Sequence, residues 1–239
     1  MTQGIHQLTA NMVNQLNRVD LVSNNLANAN TVGFKEDSTS EGTFNHYLEK
    51  AIDEKKDISK LSYIMNTIPK IDNNYINTSN GSISDTGNKL DFAINEQDNY
   101  FKIETKNGDI QLTRDGEFKV LNGILVTKNG DKVLNNENKA IVVNDDTFCK
   151  DISIVSSDIK NLDKVGNNNY TIKDSNKIEQ INSNNKLFTQ GSIERSNVNT
   201  IKTMGELIEA QRKFEQAQKA ISGIDELNQK VISEVGTSR

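Results

Sequence analysis

The chain turns sharply within residues 24–35, which read Asn24-Asn25-Leu26-Ala27-Asn28-Ala29-Asn30-Thr31-Val32-Gly33-Phe34-Lys35. Asparagine and glycine tolerate left-handed backbone angles better than other residues, so this composition predicts the end of a helix followed by a tight turn. Phe34 supplies an apolar anchor just past that turn. The stretch therefore separates an N-terminal helix from the rest of the chain.

The residues before the turn have the spacing of an amphipathic helix, from about Gln3 to the end of the stripe. Ile5, Met12, Val19 and Leu26 recur at every seventh position, the interval at which helical side chains return to one face. Asparagine is common on the other face and is a weak helix former, so propensity alone would not hold this helix in water. We expect it to need a partner helix, although packing on its own domain is an alternative that the pattern leaves open.

A second and longer apolar stripe predicts a C-terminal helix over residues 198–235. Its members are Ile201, Met204, Leu207, Ile208, Phe214, Ala217, Ile221, Ile224, Leu227, Val231 and Val235. Ser196 or Asn197 is the predicted N-cap. An unbroken helix of this length is roughly 57 Å long at about 1.5 Å per residue. A single small domain cannot cover it, so we expect one face to contact other chains; an intramolecular hairpin with the N-terminal helix is the alternative.

Between the helices, the sequence changes to period-two alternation with regular turns. Asn-Gly or Asp-Gly pairs, which suit tight hairpins, stand at residues 107–108, 115–116, 122–123 and 129–130. Strands are predicted at residues 100–105, 110–113, 118–121, 124–127 and 132–134, with further strands at 140–143, 152–155 and 170–172, which favours a β-meander or small barrel. Residues 44–75 indicate a helical or irregular stretch that Pro69 ends.

These patterns predict an α+β protein whose two long terminal helices pair as a coiled-coil-like domain around a central, mainly antiparallel β-domain. The predicted regions are residues 1–35 for the N-terminal helix and turn, 36–80 for a variable linker, 81–195 for the β-domain and 196–239 for the C-terminal helix. Only 34% of the residues are hydrophobic and 26% are charged, so one large core is not expected.

Charge and hydropathy exclude several classes of protein. The net charge of −5 is spread along the chain without a basic block, which argues against nucleic-acid binding. No stretch approaches the roughly 18 apolar residues of a membrane helix, and we expect no direct membrane insertion. The first residues lack a secretory signal, so the protein is expected to stay in the cytoplasm or to leave by a route without a cleaved signal.

No catalytic, cofactor-binding or metal site is predicted, and we expect a protein that is not an enzyme. Cys149 is the only cysteine, and both histidines lie far from it in sequence, so it is interpreted as a packed apolar residue. Arg114 is interpreted as a strand-end ion pair or a solvated side chain. Asp145 and Asp146 are adjacent and converge poorly on one ion, which favours an exposed turn.

Several segments resemble the flagellar rod and hook protein family. The first is the opening stretch, which has every fixed position of the family signature: Asn24, Asn25, Leu26, Ala27, Asn28, Thr31, Gly33, Phe34 and Lys35. The resemblance continues at residues 85–94, 112–118 and 125–130 in the β-domain and at 190–199 and 207–215 near the end. The family usually has a glycine-bearing turn before the aromatic pair, where this chain has Asn95-Glu96-Gln97-Asp98-Asn99, residues that can also form such a turn.

This resemblance implies a structural subunit of the bacterial flagellar basal-body rod, most like the proximal-rod subunit. It implies export through the flagellum's own apparatus, a location in the rod that crosses the periplasm, and helical polymerisation with other rod subunits and with itself. The expected assembly interface is the set of stripe residues Ile5, Met12, Val19, Leu26, Leu207, Phe214, Ile221 and Ile224. The alternatives are a distal-rod or hook-associated subunit of the same family or, in another class, a cell-wall glycan hydrolase, for which no convergent pair of carboxylates is found.

Overall fold

The computed structural model describes residues 2–42, 70–143, 148–166, 168–174, 177–181 and 187–237. Within these residues, helix α1 spans Thr2–Ala27 and helix α2 spans Thr200–Thr237. A mainly antiparallel β-domain lies between them in sequence. The predicted α+β class, with a helix at each end, is therefore confirmed.

The chain divides into two compact units. The first comprises residues 1–26, 37–75 and 199–239, and the second comprises residues 27–36 and 76–198. Strands β1 (Asp37–Gly42) and β2 (Lys70–Ile76) pair in a two-stranded sheet and occupy the ends of the range that the sequence predicts as a linker. Residues 70–75 are thus strand and not helix, and residues 43–69 lie outside the described part of the chain.

The second unit is built from short strands. They are β3 (Ile83–Asp85), β4 (Phe92–Ile94), β5 (Asn99–Glu104), β6 (Ile110–Thr113), β7 (Phe118–Leu121), β8 (Ile124–Thr127), β9 (Lys132–Val133), β10 (Ile154–Ser156), β11 (Leu162–Val165), β12 (Asn169–Ile172), β13 (Glu179–Ile181), β14 (Phe188–Gln190) and β15 (Ser192–Glu194). The main sheet has the order β11-β12-β6-β5-β9-β8-β7, and β10 pairs with both β5 and β13. Strands β14 and β4, and β15 and β3, form two further antiparallel pairs.

Turn chemistry explains the hairpins. Asn122 and Gly123 both have positive φ, at 53° and 79°, as the tight turn between β7 and β8 requires. The prediction of a hairpin turn at Asp115-Gly116 is wrong, because β6 and β7 are not neighbours in the sheet. The Gly116 carbonyl instead accepts the Phe92 N–H at 3.0 Å. The strand predicted at residues 140–143 is also wrong, since the described residues there form only isolated bridges.

The main sheet has an apolar cluster on each face. The larger cluster contains Phe92, Phe101, Phe118, Phe148 and Phe188 among aliphatic residues, and Cys149 packs against it, half-buried. The smaller cluster on the other face consists of Tyr100, Leu112, Val155, Leu162 and Tyr170. Alternating side chains of β5 supply both clusters, because successive residues of a strand point to opposite faces.

Helix α2 begins later than its predicted cap. The Asn199 side chain accepts the Lys202 N–H at 3.1 Å, and its carbonyl accepts the Thr203 N–H at 2.9 Å, so Asn199 is the N-cap. Ser196 and Asn197 lie before it, which corrects the prediction. No helix in the described ranges is both long and apolar enough to span a membrane.

Candidate functional site

Three charged side chains from distant motifs meet inside the second unit. Lys35 Nζ lies 2.7 Å from Glu194 Oε1, and Arg114 Nη2 lies 2.8 Å from Glu194 Oε2. We call these three residues the ionic cluster; their side chains are at most 5% exposed. Burial lowers the pKa of the Lys35 ammonium, the Arg114 charge lowers this pKa further, and the charge and hydrogen bond of Glu194 raise it.

Lys35 and Glu194 have further partners in the segment that precedes β3. The Lys35 ammonium donates to the carbonyl oxygens of Ser79 at 2.8 Å and Thr78 at 3.4 Å. The Gly81 N–H donates to Glu194 Oε1 at 2.9 Å. Each of these bonds satisfies a polar group that burial would otherwise leave unsatisfied.

The Arg114 guanidinium is fixed on several sides. Its Nε donates to Glu194 Oε2 at 3.0 Å, and Nη1 donates to the carbonyls of Asn99 at 2.6 Å and Glu96 at 2.8 Å. Nη2 donates to Asn80 Oδ1 at 3.1 Å. The sequence predicts either an ion pair or a solvated side chain for Arg114, and the structure shows a buried ion pair.

The signature turn packs directly on the backbone of Arg114. Gly33 has a φ of +67°, and a Cβ added there would lie 2.4 Å from the carbonyl carbon of Arg114. The Gly33 N–H donates to the Glu194 carbonyl at 2.8 Å, and the Asn168 side-chain amide donates to the Val32 carbonyl at 3.0 Å. The predicted tight turn is therefore present, and this position needs glycine for both its backbone angle and its close approach.

Phe34 is the predicted anchor, and it is 3% exposed. The Lys164 ammonium stands 3.9 Å from the centre of its ring, a cation–π contact. The same ammonium donates to the Lys35 carbonyl at 3.1 Å. The last residues of the signature are thus held to β11 by one lysine.

The first half of the signature ends α1 and caps the next strand. The Asn25 side chain donates to the Asp37 carbonyl at 2.7 Å and accepts the Asp37 N–H at 2.9 Å, as a neighbouring strand would. Thr31 donates its N–H to the Asn28 carbonyl at 3.0 Å and its hydroxyl to Asn28 Oδ1 at 3.2 Å. The remaining signature residues are Asn24 and Ala27, which are exposed, and Leu26, which is half-buried.

Asn197, in the segment before α2, joins two other segments of the second unit. Its Oδ1 accepts the Glu36 N–H at 2.7 Å, and its Nδ2 donates to the carbonyls of Asn77 at 2.9 Å and Ser79 at 3.0 Å. Residues just after the signature and just before α2 are therefore tied together. Sequence reasoning missed the roles of Asn197 and Glu194, although both lie in the stretch of residues 190–199 that it singled out.

The predicted assembly residues lie beside the most buried positions of the helices. In α1, Met12, Val19 and Leu26 are half-buried, whereas the side chain of Ile5 lies outside the described ones. The most buried residues there are Gln15, Val22 and Asn25. In α2, the predicted residues Leu207, Phe214, Ile221 and Ile224 are half-buried, while Thr203, Ala210 and Ala217 are buried. The role of these side chains in assembly stays a prediction.

Acidic and sulfur-containing side chains do not gather into a metal site in the described part of the chain. No group of three or more His, Cys, Asp or Glu residues there is placed to hold an ion, and Asp145 and Asp146 lie outside the described residues. Asp115 Oδ1 accepts the Glu117 N–H at 3.0 Å. Burial raises the pKa of the Asp115 carboxyl to about 6, against the pull of that hydrogen bond.

Asp115 is expected to make stability depend on pH. Its carboxyl holds a proton in the folded state between about pH 4 and 6, where the unfolded chain has released it. The free energy of unfolding therefore falls as pH rises through this window because of Asp115, and stays flat above it. The free energy of unfolding of Asp115→Asn, relative to that of the wild type, should therefore rise by roughly 1–2 kcal/mol between pH 4 and 6.5. Urea unfolding across this range measures the gain; a constant difference, or an equal gain in the exposed control Asp109→Asn, contradicts the prediction.

Comparison with known sequences places the three charged residues in three matched segments. Residues 7–35 match a family described as Flagella basal body rod protein. Residues 93–161 match the Flagellar hook protein FlgE/F/G D1 domain, and residues 189–234 match the Flagellar basal body rod FlgEFG protein C-terminal. Lys35, Arg114 and Glu194 each fall in a different one of these.

Whole-length relatives agree with these matches. The chain is similar to the flagellar hook-basal body complex protein FlhO of Bacillus subtilis, with 26% identity over 99% of both chains. It is similar to the flagellar basal-body rod protein FlgF of Caulobacter vibrioides, with 30% identity over 91% of both. It is also similar to FlgG of Bacillus subtilis, with 29% identity over 98% of this chain and 99% of the relative. The chain therefore belongs to the flagellar basal-body rod protein family, whose members are structural proteins and not enzymes.

Proposed function

We propose that this protein is a subunit of the bacterial flagellar basal-body rod that polymerises through its terminal helices to build the drive shaft. Family membership supports the structural role and the location in the rod. The partners are other rod subunits and further copies of this chain in a helical assembly. A heterologous contact that does not close into a ring generates such a filament.

The observation that carries this proposal is an exposed apolar stripe near the start of α2. Ile201, Met204 and Ile208 are 84%, 50% and 50% exposed, and their spacing puts them on one face of the helix. The buried residues Thr203 and Ala210 lie on a different face. Aligned exposed aliphatic side chains mark an interaction surface. Helix α2 thus has one face covered within its own chain and another that a neighbouring subunit can cover.

The pairing of α1 and α2 as a coiled coil is part of the proposal. Gln15 and Val22 are buried seven residues apart on α1, and Thr203, Ala210 and Ala217 are buried at the same interval on α2. Sevenfold spacing of buried residues is typical of a coiled-coil seam. Small side chains on the α2 seam allow the two helix axes to approach closely.

Electrostatics support the same pairing. The pKa of the Glu209 carboxyl on α2 is lowered first by its hydrogen bond and charge attraction with Lys213, and the Arg18 charge on α1 lowers it further. Lys213 lies 2.6 Å from Glu209 on the same helix face. The attraction from Arg18 supports the proposed pairing of α1 with the first half of α2.

The ionic cluster has a mechanical role in this proposal. A rod subunit transmits torque. The ionic cluster and Asn197 tie together two of the segments through which the chain passes between its units, the one ending at Glu36 and the one ending at Val198. Ion pairs that are buried and hydrogen-bonded on every side resist rearrangement because any opening leaves a buried charge without a partner. Torsion is therefore carried without loosening the β-domain.

Three further parts of the proposal have different grounds. Export through the flagellar export apparatus rests on family likeness. That the protein does not bind nucleic acid rests on its dispersed charge, and that it does not insert into the membrane directly rests on its lack of a long apolar stretch. The proposed position is the proximal rod. Relatives named FlgF and FlgG match to nearly the same degree, with 30% and 29% identity, so the proximal position is the finer part of the proposal.

Substitutions in the exposed stripe test the assembly surface. Ile201→Asp combined with Ile208→Asp should leave the melting temperature of the purified protein within about 2 °C of wild type, because both side chains are exposed. In a strain that lacks the chromosomal gene, the variant should fail to co-purify with basal bodies and fail to restore swimming. Gln216→Asp combined with Ala220→Asp, exposed on the same helix, is the matched control and should restore both. Incorporation of the stripe variant at the wild-type level contradicts the proposed surface.

A further inference from the structure

A cavity of about 350 Å³ lies on the face of the main sheet that carries the smaller apolar cluster. Its apolar walls are Ile110, Leu112, Val155, Ile172 and Ile178. These side chains come from β6, β10 and β12 and from the residue just before β13. A volume of this size is at the lower end of the roughly 300–1,000 Å³ of small-molecule sites, which are mostly apolar with a few placed polar groups.

One lysine lines this cavity without a partner. Lys102, on β5 directly opposite Leu112, is 8% exposed and lines the cavity. Within the described residues, its ammonium has no hydrogen bond or ion pair, unlike Lys35 and Lys164 elsewhere in the same unit. The stem of Lys102 is buried along the aliphatic wall, whereas its ammonium keeps contact with water, as long cationic side chains often do. Partial burial lowers the pKa of Lys102, and a carboxylate that enters the cavity would meet this ammonium beside an apolar surface.

The lining of the cavity indicates the chemistry of a ligand that would fit it. A single ammonium at an aliphatic wall matches one carboxylate joined to an apolar chain. A phosphate group is matched better by several donors or a guanidinium fork, which the described lining lacks, and the Lys102 charge repels a cation. The remaining polar lining residues, Thr171 and Gln180, are neutral.

We propose that this cavity binds a carboxylate carried on a short aliphatic chain, with Lys102 donating to the carboxylate and the aliphatic walls covering the chain. The carboxylate has two sources, a small free aliphatic acid or a glutamate side chain flanked by aliphatic residues in another protein. Both present the same chemistry to Lys102. The site does not depend on the role of the chain in the rod.

Titration of the purified full-length protein, followed by backbone amide NMR shifts, tests the site. The probes are hexanoate for the free acid and the blocked peptide acetyl-Leu-Glu-Leu-amide for the protein source, with hexanol and hexylammonium as controls. A carboxylate probe should shift residues around the cavity saturably and bind at least about tenfold more tightly than hexanol. Whichever of the two carboxylates binds more tightly identifies the source.

Two matched variants distinguish loss of the Lys102 charge from a general effect on folding. Lys102→Met should weaken carboxylate binding about tenfold or more. It should not lower the melting temperature, because methionine keeps the apolar packing of the buried lysine stem. Lys132→Met, on the adjacent strand β9 and pairing only at the surface with Glu104, should leave binding unchanged. The proposal is overturned if neither carboxylate binds, if hexanol or hexylammonium binds equally well, or if Lys102→Met binds as the wild type does.

Discussion

Glu194→Gln is expected to lower the free energy of unfolding by about 3–5 kcal/mol. The substitution keeps the shape of the side chain but leaves the Lys35 and Arg114 charges buried without an anion. For a chain of this size, such a loss corresponds to a fall in melting temperature of roughly 10 °C. The chain has no tryptophan, so near-ultraviolet circular dichroism of its tyrosines measures the unfolding of the β-domain.

An exposed ion pair and a double variant serve as controls for the predicted destabilisation by Glu194→Gln. Glu137 pairs with Lys139 at the same 2.8 Å that joins Arg114 to Glu194, but with side chains at least 70% exposed, so Glu137→Gln should leave the melting temperature unchanged. Lys35→Met should restore part of the stability lost in Glu194→Gln, because it removes one of the two unpaired cations. Strictly additive losses in the double variant, or a Glu194→Gln protein as stable as wild type, contradict the ionic cluster.

Gly33→Ala is expected to destabilise the second unit by at least about 3 kcal/mol. Two effects add at this position. The φ of +67° is strained for any residue with a Cβ, and that Cβ would lie 2.4 Å from the backbone carbonyl of Arg114. Because the obstacle is backbone that Glu194 and the sheet hold in place, the turn has to move away from β6, and the hydrogen bond from the Gly33 N–H to Glu194 is lost.

Gly87 is a matched control for the close approach. Its φ of +68° is nearly identical, but a Cβ added there meets nothing within 4 Å, so Gly87→Ala should cost only about 1–2 kcal/mol from backbone strain. Urea unfolding of the two variants separates strain from contact. Equal losses would show that the turn does not depend on its packing against Arg114, and the account of the signature turn would then be wrong.

Local sequence signals predicted the structure correctly at turns where the residue type alone determines the backbone angles. The Asn122-Gly123 pair indicated a turn with positive φ at both residues, and the structure has one. Asp98 likewise has a φ of 58° in the turn where the family usually places glycine. Asp115-Gly116 failed as a hairpin signal because its glycine serves a contact with the backbone of Phe92, and a sequence pattern cannot distinguish close approach from positive φ.

The strands that sequence reasoning missed are short and lack alternation. Strand β15 has only three residues, and its pairing with β3 joins segments more than a hundred residues apart. A long separation in sequence also prevented prediction of the ionic cluster, since 159 residues separate Lys35 from Glu194. Each charged residue was visible in its own motif, but their convergence depends on tertiary structure. On α1, polar Gln15 and Asn25 share the most buried face, which a hydrophobic stripe alone does not reveal.

The most direct test of the central claim is cryo-electron imaging of basal bodies from cells without this gene. We expect rods that stop short near the inner membrane, restored to full length by the intact gene and by the Gln216→Asp, Ala220→Asp control. The Ile201→Asp, Ile208→Asp version should leave the rods short, although its protein folds. Complete rods in the deletion strain would contradict the claim that this chain is a structural subunit of the rod.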